Sequence, residues 1–89
     1  MTTIDRWSVQ LSISEHDRET EAGARLIPAG GAHLWGHGTA RRNPADPDVT
    51  DIGEKIAVAR ALSDLAHVLL ESAAGELEYV THERARLHL

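Results

Sequence analysis

The sequence contains no cysteine and no phenylalanine, and its tryptophan and tyrosine side chains are Trp7, Trp35 and Tyr79. Without cysteine, the chain can form neither a disulfide nor a thiolate zinc site. With so few aromatic rings, the core has to be built from Ala, Leu, Val and Ile packed at short distances. The composition therefore predicts a small, tightly spaced aliphatic core.

Long apolar runs are also absent. There is no stretch of about 18 apolar residues and no apolar segment after Met1, so we expect neither a membrane span nor an export signal. The expected location is the cytoplasm.

We interpret residues 1–89 as one domain. A domain of this size buries only about two-thirds or less of the surface that its unfolded chain exposes. Its stability is therefore modest, and a homodimer is the expected assembly.

Positive charge is scarce in the second half of the chain. The charges of residues 1–42 cancel, and residues 43–89 supply the whole net charge of −5. Because binding to nucleic acid through phosphates requires clustered cations, non-specific affinity for nucleic acid should be poor unless the first half forms a local basic patch.

Two segments near the start show the alternation of β-strands. Apolar residues at 7, 9, 11 and 13 alternate with small polar ones, which predicts a first strand over about residues 5–14. After a polar connector over 15–18, the alternation of Thr20, Ala22, Ala24 and Leu26 with mostly polar neighbours predicts a second strand over 19–27. The two would form an antiparallel hairpin.

A third strand is predicted over about residues 32–42, after the turn signal of Pro28 to Gly31. Its alternation places Gly36, Gly38 and Ala40 on one side. Small residues on that side would let a helix backbone come close to the strand. The prolines of the segment 43–48 then end the sheet, because they favour neither a ladder nor a helix.

One long helix is predicted over about residues 51–74, opened either by Thr50 or by Asp51 with Glu54 as a capping box, and stopped by Gly75. The pattern predicts that an apolar stripe packs on the Trp7 face of the sheet. The stripe comprises Ile52, Ile56, Ala59, Leu62, Ala66, Leu69 and Ala73. Residues 76–89 fit either a short helical turn or an extended tail. The fold class is therefore α+β, a three-stranded antiparallel meander followed by one helix on one face.

Several segments resemble a small uncharacterised actinobacterial family, whose best-known relatives are dormancy-associated mycobacterial proteins. They are Trp7-Ser8-Val9, the run from Ala40 to Leu70 with its Asn43-Pro44 turn, and Val80-Thr81-His82-Glu83. The resemblance implies a fold similar to the strand-and-helix part of double-stranded-RNA-binding domains, and a homodimer comparable to ribosome hibernation factors. It also implies a stress-related binding role on the ribosome or RNA.

The start of the helix departs from that pattern. Double-stranded-RNA-binding domains resemble one another in a Lys-rich helix start that grips phosphates, whereas this chain has Asp51, Glu54 and Lys55 there. A single lysine between acids is a poor phosphate clamp. The alternative function is therefore a protein-interaction or structural adaptor that binds no nucleic acid.

No catalytic, cofactor or metal site is expected. Ser8, Ser12 and Ser63 have no nucleophile-elbow motif and no evident acid partner, so we predict that the protein is not an enzyme, and no small-molecule substrate is evident. His33 and His37 are four apart on a strand, which separates them by roughly 13 Å, too far to ligate one ion.

The candidate contact residues lie on the face of the sheet that the helix leaves open. Arg25, Trp35, His37 and Arg41 could collect there, and Trp35, Arg41 and the adjacent Arg42 could stack on bases or grip phosphates. Alternatively, Trp35 covers the sheet in a homodimer or packs under the C-terminal tail. An exposed tryptophan on a small domain more often marks a protein contact. Arg60 and Asp64, four apart on the helix, are predicted to form a surface ion pair.

Overall fold

The computed structural model describes residues 2–43 and 50–81. Its elements are β1 (Ser8–His16), β2 (Glu19–Ile27), β3 (Leu34–Arg41) and α1 (Thr50–Thr81). The strands form one antiparallel sheet in the order β1-β2-β3, and α1 packs on one face of it. This arrangement confirms the predicted α+β class. Of the predicted connector over 43–48, only Asn43 belongs to the described residues, and the tail beyond residue 81, with its histidines, lies outside them.

The hairpin between β1 and β2 is tighter than predicted. Glu15 and His16 belong to β1, and His16 lies opposite Glu19, so the connection consists of Asp17 and Arg18. Asp17 has a φ of 56°, in the left-handed region that Asp and Asn tolerate better than most residues. The predicted bounds of β2 are confirmed, whereas β1 begins at Ser8 and leaves Trp7 outside the strand.

The backbone of α1 lies directly on β3. A Cβ atom added to Gly36 would be 2.5 Å from the carbonyl oxygen of Ala61, and one added to Gly38 would be 2.8 Å from the carbonyl carbon of Arg60. Real Cβ atoms do not approach other atoms so closely. The close approach that the small residues of β3 predicted is therefore confirmed.

The predicted packing stripe of α1 is wrong. The helix buries Ala57, Ala61 and Leu65 against Ala22, Ala24, Leu26 and Ala40 of the sheet. Most of the predicted stripe points elsewhere, since Ile52, Ile56 and Leu62 are between 40% and 56% exposed, and only Leu69 packs against the core. The physical reason is the close approach to Gly36 and Gly38, which leaves room for alanine but not for larger side chains.

The predicted helix end at Gly75 is also wrong, because α1 continues through Gly75 to Thr81. A glycine in a helix interior costs only about 1 kcal/mol relative to alanine, and the neighbouring Ala73, Ala74, Glu76 and Leu77 are strong helix formers.

Among the described residues, no helix is both long enough and apolar enough to cross a bilayer.

Candidate interaction surfaces

The open face of the sheet brings three of the predicted contact residues together. Arg25 of β2 lies directly opposite Trp35 of β3, and His37 follows in the next row, opposite Gly23. Trp35 is 51% exposed, and its ring centroid lies 6.2 Å from that of His33. Directly opposite residues of an antiparallel pair share one face, so this group forms a continuous patch of aromatic and basic side chains.

Arg25 lies against the sheet rather than extending into solvent. The residue is half-buried, and its Nε atom is buried without a hydrogen-bond partner among the described residues. Its register partner on β3 is Trp35. We call Arg25, Trp35 and His37 the open-face patch.

Arg41 and Arg42 do not belong to this patch. Arg41 lies opposite Glu19 at the other end of β3, about 13 Å along the strand from His37. Arg42 follows the strand and is half-buried, and its backbone amide donates a 2.8 Å hydrogen bond to the carbonyl of Arg18. The five predicted contact residues are therefore split between two places.

Acidic side chains occupy the hairpin end of the same face. Glu19 and Glu21 alternate onto the open face together with Arg41. A shallow depression there is lined by His16, Asp17, Arg18, Glu19 and Arg41. Its walls are charged or polar, whereas small-molecule sites are mostly apolar with a few polar groups. Within residues 2–43 and 50–81, no group of three or more His, Asp or Glu side chains could hold a metal ion.

The opposite face of the sheet carries a surface that the sequence did not predict. Val9, Leu11 and Ile13 lie opposite Leu26, Ala24 and Ala22, so they point to the same side as α1. However, α1 lies over β2 and β3 and hardly touches β1. As a result, these three side chains remain between 42% and 45% exposed.

The flank of α1 that faces β1 is also apolar. Arg60 and Asp64 lie on the flank of α1 that faces the outer edge of β3, and the 3.6-residue period places Val58, Leu62 and Leu69 on the flank toward β1. Leu62 is 41% exposed, and Val58 and Leu69 are partly buried against the core. We call the surface formed by Val9, Leu11, Ile13 and Leu62 the apolar trough.

The outer edge of β3 is closed by α1. The carboxylate of Asp64 accepts a 2.7 Å hydrogen bond from the amide of His37, and the guanidinium of Arg60 donates a 2.7 Å bond to the carbonyl of Thr39. The predicted surface ion pair between Arg60 and Asp64 is thus replaced by bonds to the strand. Covering an edge in this way prevents pairing with another strand.

Known proteins resemble this chain over nearly its whole length. A family profile described as Rv2632c-like matches residues 5–86. The chain belongs to the Rv2632c-like family. It is 46% identical over 84 residues to the uncharacterized protein Mb1767 of Mycobacterium bovis, which covers 94% of this chain and 88% of the relative. It is 45% identical over 75 residues to the uncharacterized protein Rv2632c of Mycobacterium tuberculosis, covering 84% and 80%.

The crystal structure of Rv2632c has the same fold as this member of the Rv2632c-like family. The two match with a TM-score of 0.83 at 40% identity, over 92% of this chain and 96% of the other. The resemblance found in the sequence is therefore confirmed at the level of the family and its mycobacterial members.

The sequence of this Rv2632c-like chain contains one pattern from which the apolar trough could have been predicted. Residues 57 and 61 are alanines one helical turn apart, a rise of about 6 Å, and Gly36 and Gly38 span about 6.6 Å on the strand. Matched small residues of this kind identify the contact line between α1 and β3. Because only small residues fit along this contact line, the larger apolar residues of the helix have to lie on either side of it.

Removal of the Asp64 carboxylate tests the closed edge. In Asp64→Ala, the His37 amide loses its acceptor, so we expect the free energy of unfolding to fall by about 1 kcal/mol and this amide to exchange faster with solvent. Chemical denaturation and hydrogen exchange followed by NMR measure both effects. Glu71→Ala, which removes a carboxylate from the same flank of α1, should change neither. Unaltered exchange at His37 in Asp64→Ala would contradict the assignment.

Proposed function

We propose that the protein is a non-enzymatic binding protein that acts as a homodimer in the cytoplasm under stress or dormancy, with the ribosome or RNA as its target. The observation that carries this proposal is the apolar trough. In a chain of 89 residues, large aliphatic side chains are needed in the core, yet Val9, Leu11, Ile13 and Leu62 remain over two-fifths exposed. An exposed, contiguous apolar surface on a small domain is typical of a contact with another protein.

The open-face patch supports the RNA part of the proposal. Single-stranded nucleic acids bind proteins by stacking bases on aromatic rings and by contacts between cations and phosphates. Trp35 is half exposed, Arg25 lies directly opposite it, and His37 lies in the next row of the sheet. The patch lies on the face opposite the trough, so a homodimer would leave it accessible.

The fold also allows a comparison with double-stranded-RNA-binding domains, whose strand-and-helix part has three strands followed by a helix. The phosphate grip at the helix start differs, however, because Nζ of Lys55 lies 3.0 Å from the carboxylate of Asp51. The only lysine of the chain is thus already paired with an acid. For this reason we assign RNA contact to the open-face patch rather than to α1, in a role comparable to that of a ribosome hibernation factor.

The alternative is a protein-interaction adaptor with no nucleic-acid binding. The net charge of −5 favours it, as do Glu19 and Glu21 on the same face as the open-face patch. Both acids would repel phosphates approaching the hairpin end of the sheet.

Titration of ribosomes and of a single-stranded RNA at two salt concentrations distinguishes the two functions. Base stacking on an aromatic ring contributes about 1–3 kcal/mol, so Trp35→Ala should weaken RNA binding at least about five-fold and leave the fold intact. Tyr79→Ala, which removes another exposed aromatic ring, is the control. Absence of binding by the wild-type protein at low salt would rule out the RNA target and favour the adaptor. Equal affinities of wild type and Trp35→Ala would exclude the open-face patch.

A further inference from the structure

The two edges of the sheet differ. The outer edge of β3 is covered by Arg60 and Asp64, whereas β1 lies at the opposite edge with all nine of its residues in regular pairing with β2. Proteins usually protect an edge with charges, prolines or bulges. Residues 8–14 have none of these: they contain no charged residue and no proline, and the pairing runs without interruption.

The backbone groups that β1 presents at this edge follow from the alternation of the ladder. The amide of His37 and the carbonyl of Thr39 bond to α1, so the odd-numbered residues of β3 point away from β2. The even-numbered residues of β2 therefore bond to β3, and its odd-numbered residues bond to β1. These odd-numbered residues pair with Gln10, Ser12 and Ser14. Consequently, the amides and carbonyls of Val9, Leu11 and Ile13 point outward.

We propose that a second copy of this chain pairs its β1 antiparallel to β1 of the first, about a twofold axis at Leu11, and so forms a continuous six-stranded sheet. The inference rests on the proposed homodimer and identifies its interface. An isologous contact requires a self-complementary surface. A twofold axis at Leu11 satisfies this condition, because it sets the outward groups of Val9 against those of Ile13 from the second copy.

The side chains fit the same pairing. Antiparallel pairs share a face, so Val9, Leu11 and Ile13 would meet their counterparts on the side of the helices, and Ser8 would meet Ser14 on the open face. No like charges are brought together over residues 8–14. The two apolar troughs would join into one, with Leu62 of each copy forming its two walls.

Three variants and the wild-type protein test this interface by light scattering at tens of micromolar. The wild type should have the mass of a dimer. Leu11→Lys should be monomeric, because it places two like charges at the axis, and Leu11→Pro should be monomeric because it removes an outward amide. Since Leu11 is 44% exposed and its amide faces outward, both should retain the native circular dichroism spectrum. Ser12→Lys, on the opposite face of the same strand, should remain a dimer.

Hydrogen exchange of the wild type provides a second measurement that needs no substitution. The amides of Val9, Leu11 and Ile13 should be protected in the dimer, and this protection should fall on dilution toward the monomer. In a monomer or in a dimer formed elsewhere, these three amides would exchange freely.

The possible results separate the interface from the proposed function. A monomeric wild type would overturn both the homodimer and this interface. A dimeric wild type whose Leu11→Lys and Leu11→Pro variants also remain dimers would overturn the interface alone. Dissociation of Leu11→Lys with a dimeric Leu11→Pro and unprotected outward amides would indicate face-to-face contact through the trough, and would likewise overturn the strand pairing.

Discussion

Gly38→Ala is expected to destabilise the protein by about 2–3 kcal/mol. The added methyl group would lie 2.8 Å from the carbonyl carbon of Arg60 and would also clash with backbone atoms of Ala57 and Ala61. Because these are backbone atoms of α1, no side-chain rotation can relieve the clash, and the helix has to move away from β3. Overpacking of this kind costs about 1–3 kcal/mol and occasionally more. For a domain of this size, we expect the melting temperature to fall by at least about 8 °C.

Gly30→Ala is the matched control for this experiment. A Cβ atom at Gly30 meets nothing within 4 Å, and the residue has no positive φ. The same chemical change should therefore leave the melting temperature within about 2 °C, since a compatible Gly→Ala substitution is neutral or slightly stabilising. If Gly38→Ala had the same melting temperature as Gly30→Ala, the close contact between α1 and β3 would be refuted.

Leu65→Ala is expected to destabilise the protein by about 2–4 kcal/mol, whereas Leu62→Ala should cost less than about 1 kcal/mol in the monomer. Leu65 is 3% exposed and lies in the core between α1 and the sheet, and Leu62 is 41% exposed in the apolar trough. Truncation of a buried leucine loses its transfer free energy and leaves a cavity. Both changes replace a leucine with alanine in neighbouring turns of one helix. The change in helix propensity is therefore the same in both variants and does not affect the comparison.

Chemical denaturation of both variants, at a concentration low enough to dissociate a dimer, measures the difference. The periodicity of the sequence predicts the reverse order, because Leu62 belongs to the predicted stripe and Leu65 does not. A larger loss of stability in Leu62→Ala than in Leu65→Ala would therefore support the orientation of α1 that the pattern predicted and contradict the one in the structure. At a higher concentration, where the proposed dimer forms, Leu62→Ala should lose additional stability, because stability then includes association.

The sequence by itself determined the order and type of the elements. Alternation with period two is a local property, so the positions of β1, β2 and β3 followed from side-chain polarity. The bounds of β2 were the most accurate because a polar connector precedes the strand and a turn signal follows it. The role of Gly36 and Gly38 could also be predicted, since small residues at alternate positions of a strand allow a close approach. The sequence also predicted five candidate contact residues. The strand register of the structure places three of them, Arg25, Trp35 and His37, next to one another.

Only the tertiary structure decided which flank of α1 is buried. Periodicity identifies a face with large apolar residues, but it does not measure the distance between a helix and a sheet. Here the glycines of β3 bring the backbones so close that Ala57 and Ala61 fit and Ile56 or Leu62 would not. The position of α1 over β2 and β3 then follows, and it leaves β1 uncovered. The same short distance that makes the core compact therefore places larger apolar side chains on the surface, where the trough adjoins β1, the edge strand of the described sheet.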